Sequence, residues 1–80
     1  MYTEEQLLNI YATAYFNETG FRLTQNAIDK IEFDEYIVHY DSFDDRLTID
    51  LVEFDDNDSF PYPISVVLIN EKGTDWKLGQ

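Results

Sequence analysis

The sequence predicts an α+β fold, with one or two N-terminal helices packed on a three- to four-stranded antiparallel β-meander. Three features carry that expectation. Apolar residues recur at helical spacing from Leu7 to Phe16, and from Tyr36 onward the period becomes two. The breaks between the later apolar runs are polar and rich in turn residues, so consecutive strands should lie side by side.

The first helix has a specified start. Thr3 followed by Gln6 fits a capping box, Tyr2 and Leu7 stand where a hydrophobic staple places them, and Glu4 and Glu5 complement the positive end of the helix dipole. Leu7, Leu8, Tyr11, Ala12, Ala14 and Tyr15 form the apolar stripe, with Ile10 and Phe16 at its margins. The helix should run to Asn17 or Glu18 and stop at Gly20. Residues 21–33 read two ways. Thr24 or Asn26 can cap a short helix carrying Ala27, Ile28 and Ile31, whereas Phe21, Leu23, Ile31 and Phe33 also alternate as strand residues do; the short helix is preferred.

Tyr36-Ile37-Val38-His39-Tyr40 is β-branched and aromatic and reads as the first strand, with Tyr36 and Tyr40 on one face as core candidates. Asp41 to Asp45 supplies a polar turn. Leu47 to Phe54 then alternates, with Leu47, Ile49 and Leu51 toward the core and Thr48 and Asp50 on the other side. Pro61 and Pro63 exclude a central strand from the loop that follows. Ile64 to Ile69 is almost continuously apolar and reads as a central strand. Asn70-Glu71-Lys72-Gly73 has Asn first and Gly fourth, as a type I turn prefers, and Trp76 and Leu78 alternate on a short last strand.

A chain of 80 residues allows one domain, spanning 1–80, with a modest core, because a domain this small buries only about 60% of its unfolded surface. With no cysteine, neither a disulfide framework nor a thiolate zinc site can staple it, so packing must hold it. The N-terminal residues lack a basic targeting segment and no apolar run is long enough to span a membrane, which makes the cytosol the expected location.

The charge is the chain's most unusual property. Seventeen Asp and Glu against five Lys and Arg give a net charge of -12, yet 44% of the residues are hydrophobic and 16% aromatic, so this is a folded domain and not an acidic tail. Such self-repulsion destabilises a compact state while attracting basic partners. It disfavours direct binding to nucleic acid or to an anionic membrane, both of which need cations. Twelve of the acids lie between Asp29 and Asp58 with only Lys30 and Arg46 among them, a net -10. The meander places them at both ends of the first hairpin, with Asp50 on the strand between. Successive residues on one strand face stand roughly 6.6 Å apart, so carboxylates set this way can match the interval between phosphates. Asp34, Glu35, Asp41, Asp44, Asp45, Asp50, Asp55, Asp56 and Asp58 are the candidate partner-binding residues, with Phe60 and Tyr62 as apolar anchors. Phe43 and Phe54 also fall among the acids.

Other constellations point away from catalysis. His39 stands alone, and Asp55-x-Asn57-x-Ser59 opens like a calcium loop but continues with Phe60 where glycine makes the turn and Val66 where a bidentate Glu is needed. There is no cysteine nucleophile, no Gly-rich phosphate loop and no serine elbow, and so short a chain has little room for a substrate pocket. A non-enzymatic protein without cofactor or metal is expected.

In its size, its lack of cysteine, its acidic block Glu32 to Asp58 and its α+β pattern, the chain resembles the small acidic inhibitors of phage and mobile elements: anti-CRISPR, anti-restriction and other DNA-mimic proteins. The resemblance implies a stoichiometric inhibitor, acting in the host cytosol, that occupies the nucleic-acid or recognition site of a defence nuclease. Two alternatives stay open. One is an immunity or antitoxin protein for a basic toxin; colicin immunity proteins are similarly small and acidic, but helical, unlike the strand pattern here. The other is a small structural or assembly protein, and either a monomer or a homodimer fits the sequence.

Overall fold

The computed structural model describes residues 2–55 and 64–79, apart from the side chains of Asp34, Glu53, Phe54, Asp55 and Ile64. Helix α1 (Glu4–Thr19) starts at the capping box: the Thr3 hydroxyl accepts from the Gln6 N–H at 3.2 Å, and Gln6 Oε1 accepts from the Thr3 N–H at 2.9 Å. It ends at Gly20, whose φ of 77° is left-handed and whose N–H donates to the Phe16 carbonyl at 2.8 Å. Helix α2 (Gln25–Lys30) is capped by Thr24, whose hydroxyl accepts from the Ala27 N–H at 3.1 Å. At Ile31 the backbone becomes extended and strand β1 (Ile31–Asp41) begins. Both readings of residues 21–33 therefore hold in part: the short helix exists, and the alternation of Ile31 and Phe33 belongs to a strand that starts well before Tyr36.

Strands β2 (Arg46–Asp55), β3 (Ile64–Glu71) and β4 (Lys77–Leu78) complete a four-stranded antiparallel sheet in the order β1-β2-β3-β4. Its register defines one buried face: Val38 pairs with Ile49, Ile49 with Leu68 and Leu68 with Leu78, while Tyr36 pairs with Leu51 and Leu51 with Val66. Helix α1 lies on that face. Leu7 and Ala14 join Ile49, Leu51 and Leu68 in a cluster in which no member is more than 2% exposed. Burying each of the larger side chains contributes about 1.5–3 kcal/mol.

Polar contacts fix the helix at both ends. The Tyr36 hydroxyl donates to the Tyr2 carbonyl at 2.9 Å and accepts from the Tyr2 N–H at 3.0 Å, with the two rings edge to face. Near the other end, Asn17 Nδ2 donates to the Trp76 carbonyl at 2.8 Å. Between them, the Tyr11 ring meets Phe33 edge-on.

Three details differ from the sequence reading. A β-bulge between Phe33 and Glu35 shifts the register of β1, so Ile31 and Phe33 before it and Tyr36 and Val38 after it face the same side despite opposite parity. The β3–β4 turn is centred on Lys72 and Gly73, at φ of 55° and 72°, with the Thr74 N–H donating to the Glu71 carbonyl. Two successive positive φ values mark a type I′ turn over Glu71 to Thr74, in place of the type I turn expected over Asn70 to Gly73. Finally, Tyr40 is 56% exposed and does not enter the core. The helix begins against Tyr36, and the hairpin beyond that point projects past it.

Among the described residues no helix is long and apolar enough to cross a membrane.

Candidate acidic interface

The face of the sheet away from α1 is built by the alternate residues of the same strands. Glu35 pairs with Val52, Ile37 with Asp50, His39 with Thr48 and Asp41 with Arg46; Asp50 in turn pairs with Val67, and Arg46 with Glu71. Glu32, Glu35, Ile37, His39 and Asp50 are exposed on it, and Asp41 is half-buried. Asp50 stands at its centre, with Ile37 and Val67 as cross-strand neighbours.

The β1–β2 turn forms the tip of the hairpin and is tightly pinned. Asp41 Oδ1 accepts from the Phe43 N–H at 2.9 Å and, less closely, from the Asp44 N–H at 3.4 Å, the side chain closing the turn on itself. The Asp45 carbonyl accepts from the Lys72 N–H at 2.8 Å, tying the tip to the β3–β4 turn. Asp45 sits at φ 50°, a left-handed conformation that Asp tolerates better than most residues. Its Oδ1 accepts from the Tyr40 hydroxyl at 2.8 Å. That hydrogen bond, followed by the charges of Asp45 and Asp41, raises the Tyr40 pKa above the usual tyrosine value. The turn holds Phe43 95% exposed, with Asp41, Asp44 and Asp45 around it in sequence.

Arg46 and Lys77 stand on this same face, grouped toward β3 and β4. Arg46 lies 3.8 Å from Asp44 and 4.0 Å from Glu71, and Lys77 lies 3.3 Å from Glu71. All four side chains are 40–51% exposed, so each pair contributes about 1 kcal/mol or less. Their effect is on the charge pattern: acids near β3 and β4 are balanced, whereas β1 from Ile31 to Asp41 contains no Lys or Arg at all.

The expected site residues separate into three groups. Glu35, Asp41 and Asp50 come together on the outer face, joined by Glu32, and Asp44 and Asp45 form the tip. Asp34 lies in the bulge and Asp55 ends β2 opposite Ile31, their side chains not described. Asp56, Asp58, Phe60 and Tyr62, like the calcium-loop resemblance, lie outside the described residues. The structure adds an apolar component that charge counting missed: Ile37, Val38 and Tyr40 are 71%, 42% and 56% exposed along β1. An apolar run reads as buried in sequence; the strand order exposes it.

Among the described residues no three His, Cys, Asp or Glu converge as a metal site. A groove of about 490 Å³ between α1 and the segment leading into α2 is lined by Asn9, Ala12, Thr13, Phe16, Arg22, Leu23 and Ile28, with the Arg22 guanidinium over the Phe16 ring at 5.2 Å. No carboxylate, histidine or cysteine lines it. Comparison with known proteins returns no relative: no family model, no curated protein and no solved structure matches the chain.

Proposed function

We propose that the chain is an inhibitory binding protein that works inside the cell and presents a carboxylate-rich, DNA-mimicking surface to a basic nucleic-acid-binding protein, such as a CRISPR effector or a restriction nuclease. The observation that carries this reading is the placement of the acids. Glu32, Glu35 and Asp50 are exposed on one sheet face and Asp44 and Asp45 at the adjoining tip, set on backbone that pairs in a ladder and pinned by the turn bonds. A rigid carboxylate array avoids the ordering cost that a flexible acidic tail bears on binding. The charge steers encounter with a basic cleft, so association should be fast and salt-sensitive.

Competition tests it. The protein should displace labelled duplex DNA from a basic nuclease at low salt, and reversal of Glu32, Asp44 and Asp50 to Lys should abolish displacement while the fold persists. Displacement that survives the reversal excludes the mimic.

A second reading draws support from Phe43. An aromatic ring 95% exposed among acids has no counterpart in a phosphate array but suits an anchor for an apolar pocket in a cognate basic toxin. Under that reading Phe43→Ala alone weakens binding more than any single charge reversal does, and the partner need not bind DNA.

A further inference from the structure

We infer that the free edge of β1 is a docking site for an extended, basic segment of the partner, which adds to the sheet as a further antiparallel strand beside Tyr36 to Asp41. The choice of a basic occupant rests on the function proposed above; the mode of binding does not.

Strand β1 is the sheet edge, and among the described residues its backbone from Tyr36 to Asp41 has no partner besides β2. Free edges of this length are normally guarded by Lys, by Pro or by a bulge. Here the bulge at Phe33/Glu35 disturbs the start of the strand alone, and from Tyr36 to Asp41 the register with β2 is unbroken and contains neither Lys nor Pro. Apolar side chains stand exposed on both faces of this same stretch: Val38 and Tyr40 on the helix side, Ile37 on the outer side. An added strand would cover all three with its own alternating side chains while its backbone satisfies the edge.

Charge selects the occupant. Glu35, Ile37, His39 and Asp41 form one outer row, with a carboxylate at each end, about 20 Å apart at a rise of ~3.4 Å per residue. A second copy of this chain fits badly in the register that overlaps the whole of Glu35 to Asp41. Antiparallel self-pairing centred on Val38 would set Glu35 opposite Asp41 at both ends, and like charges directly opposite destabilise a ladder. A strand with Lys or Arg at positions six apart and β-branched residues between them sets one cation at the exposed Glu35 and the other at the hairpin tip, where the exposed Asp44 and Asp45 adjoin Asp41.

The test uses the intact chain, isotope-labelled, and the synthetic peptide Lys-Val-Thr-Val-Thr-Val-Lys, capped at both ends. Backbone amide shifts should move from Tyr36 to Asp41. At peptide about ten times its half-saturation concentration, exchange of the outward-facing amides there should slow about tenfold. The same peptide with Pro in place of both its central Val and the Thr after it should have no effect, because one of two adjacent N–H groups must point at β1 and the ladder cannot continue, and one with Glu in place of both Lys should not bind. Equal binding by the Pro peptide, or no slowing with the Lys peptide, overturns strand addition while leaving the acidic-surface proposal intact. Conversely, strand addition with no displacement of DNA from any nuclease leaves the edge site standing and removes the proposed function. A dimer in sedimentation that the Lys peptide dissociates would give the edge to a second copy and overturn the basic occupant.

Discussion

The two edges of the sheet follow opposite rules. The β4 edge is two residues long, carries Lys77, and is held by the helix side through Leu78 in the core and Trp76 bonded to Asn17. The β1 edge is eleven residues long, has no cation, and exposes Ile37, Val38 and Tyr40. One edge is closed by shortness and packing, as edges in stable monomers usually are. The other leaves its hydrogen-bonding groups and apolar side chains accessible among the described residues, and under the proposed function the β1–β2 hairpin is the working half and the α1–β3–β4 half its scaffold.

That division predicts a gradient of mutational effects. Leu68→Ala, at the fully buried centre where β3 meets β4, should cost about 2–5 kcal/mol in urea unfolding and is the change that comes nearest to unfolding the chain. A smaller loss, about 1–3 kcal/mol, is expected from Gly79→Ala, since the new methyl would stand 2.8 Å from Ile69 Cδ1 and 2.9 Å from Val67 Cγ1 where Gly79 packs on β3. On the working half, Ile37→Lys should change stability by no more than about 0.5 kcal/mol, because the side chain is 71% exposed. If it instead costs as much as Leu68→Ala, the edge is buried and the division fails.

The smallest effect concerns pH. Tyr40 has a folded-state pKa above its unfolded value because its hydroxyl donates to Asp45. The stability that this bond contributes is fully present below the ordinary tyrosine value of about 10 and is lost as pH rises through the raised folded value. The difference in urea midpoint between the native chain and Tyr40→Phe should therefore be constant at neutral pH and vanish in strong alkali; a difference that grows in alkali would show the bond is absent. Added salt acts on the whole molecule, and because it screens the repulsion of a net -12 it should raise the melting temperature.

How far the sequence foretold this layout depends on whether the signal was local. The capping box at Thr3 and Gln6, the stop at Gly20, and the alternation that buries Ile49 and Leu51 are local signals, and each stands where it was read, while Leu47, nearer the hairpin tip, is only half-buried. The start of β1 was hidden by the bulge, which puts Ile31 and Phe33 out of phase with Tyr36 and Val38, so one strand read as two unrelated segments. The outer acidic face was half legible: Asp50 opposite the core positions of β2 follows from period two alone. Its partners Glu32 and Glu35 required the cross-strand register. The exposure of Val38 and Tyr40 could not be read from the chain, since a β-branched aromatic strand is buried or bare according to which strands lie beside it.

The central claim, that the acidic hairpin competes with nucleic acid for a basic cleft, is most directly tested by measuring displacement of labelled duplex DNA from a panel of basic nucleases at about 50 and about 200 mM salt, with the native chain and with the Glu32, Asp44 and Asp50 to Lys variant. The account predicts displacement from at least one nuclease by the native chain, markedly weaker at the higher salt, and none by the variant. Equal displacement by both chains, or none from any nuclease at either salt, would contradict it.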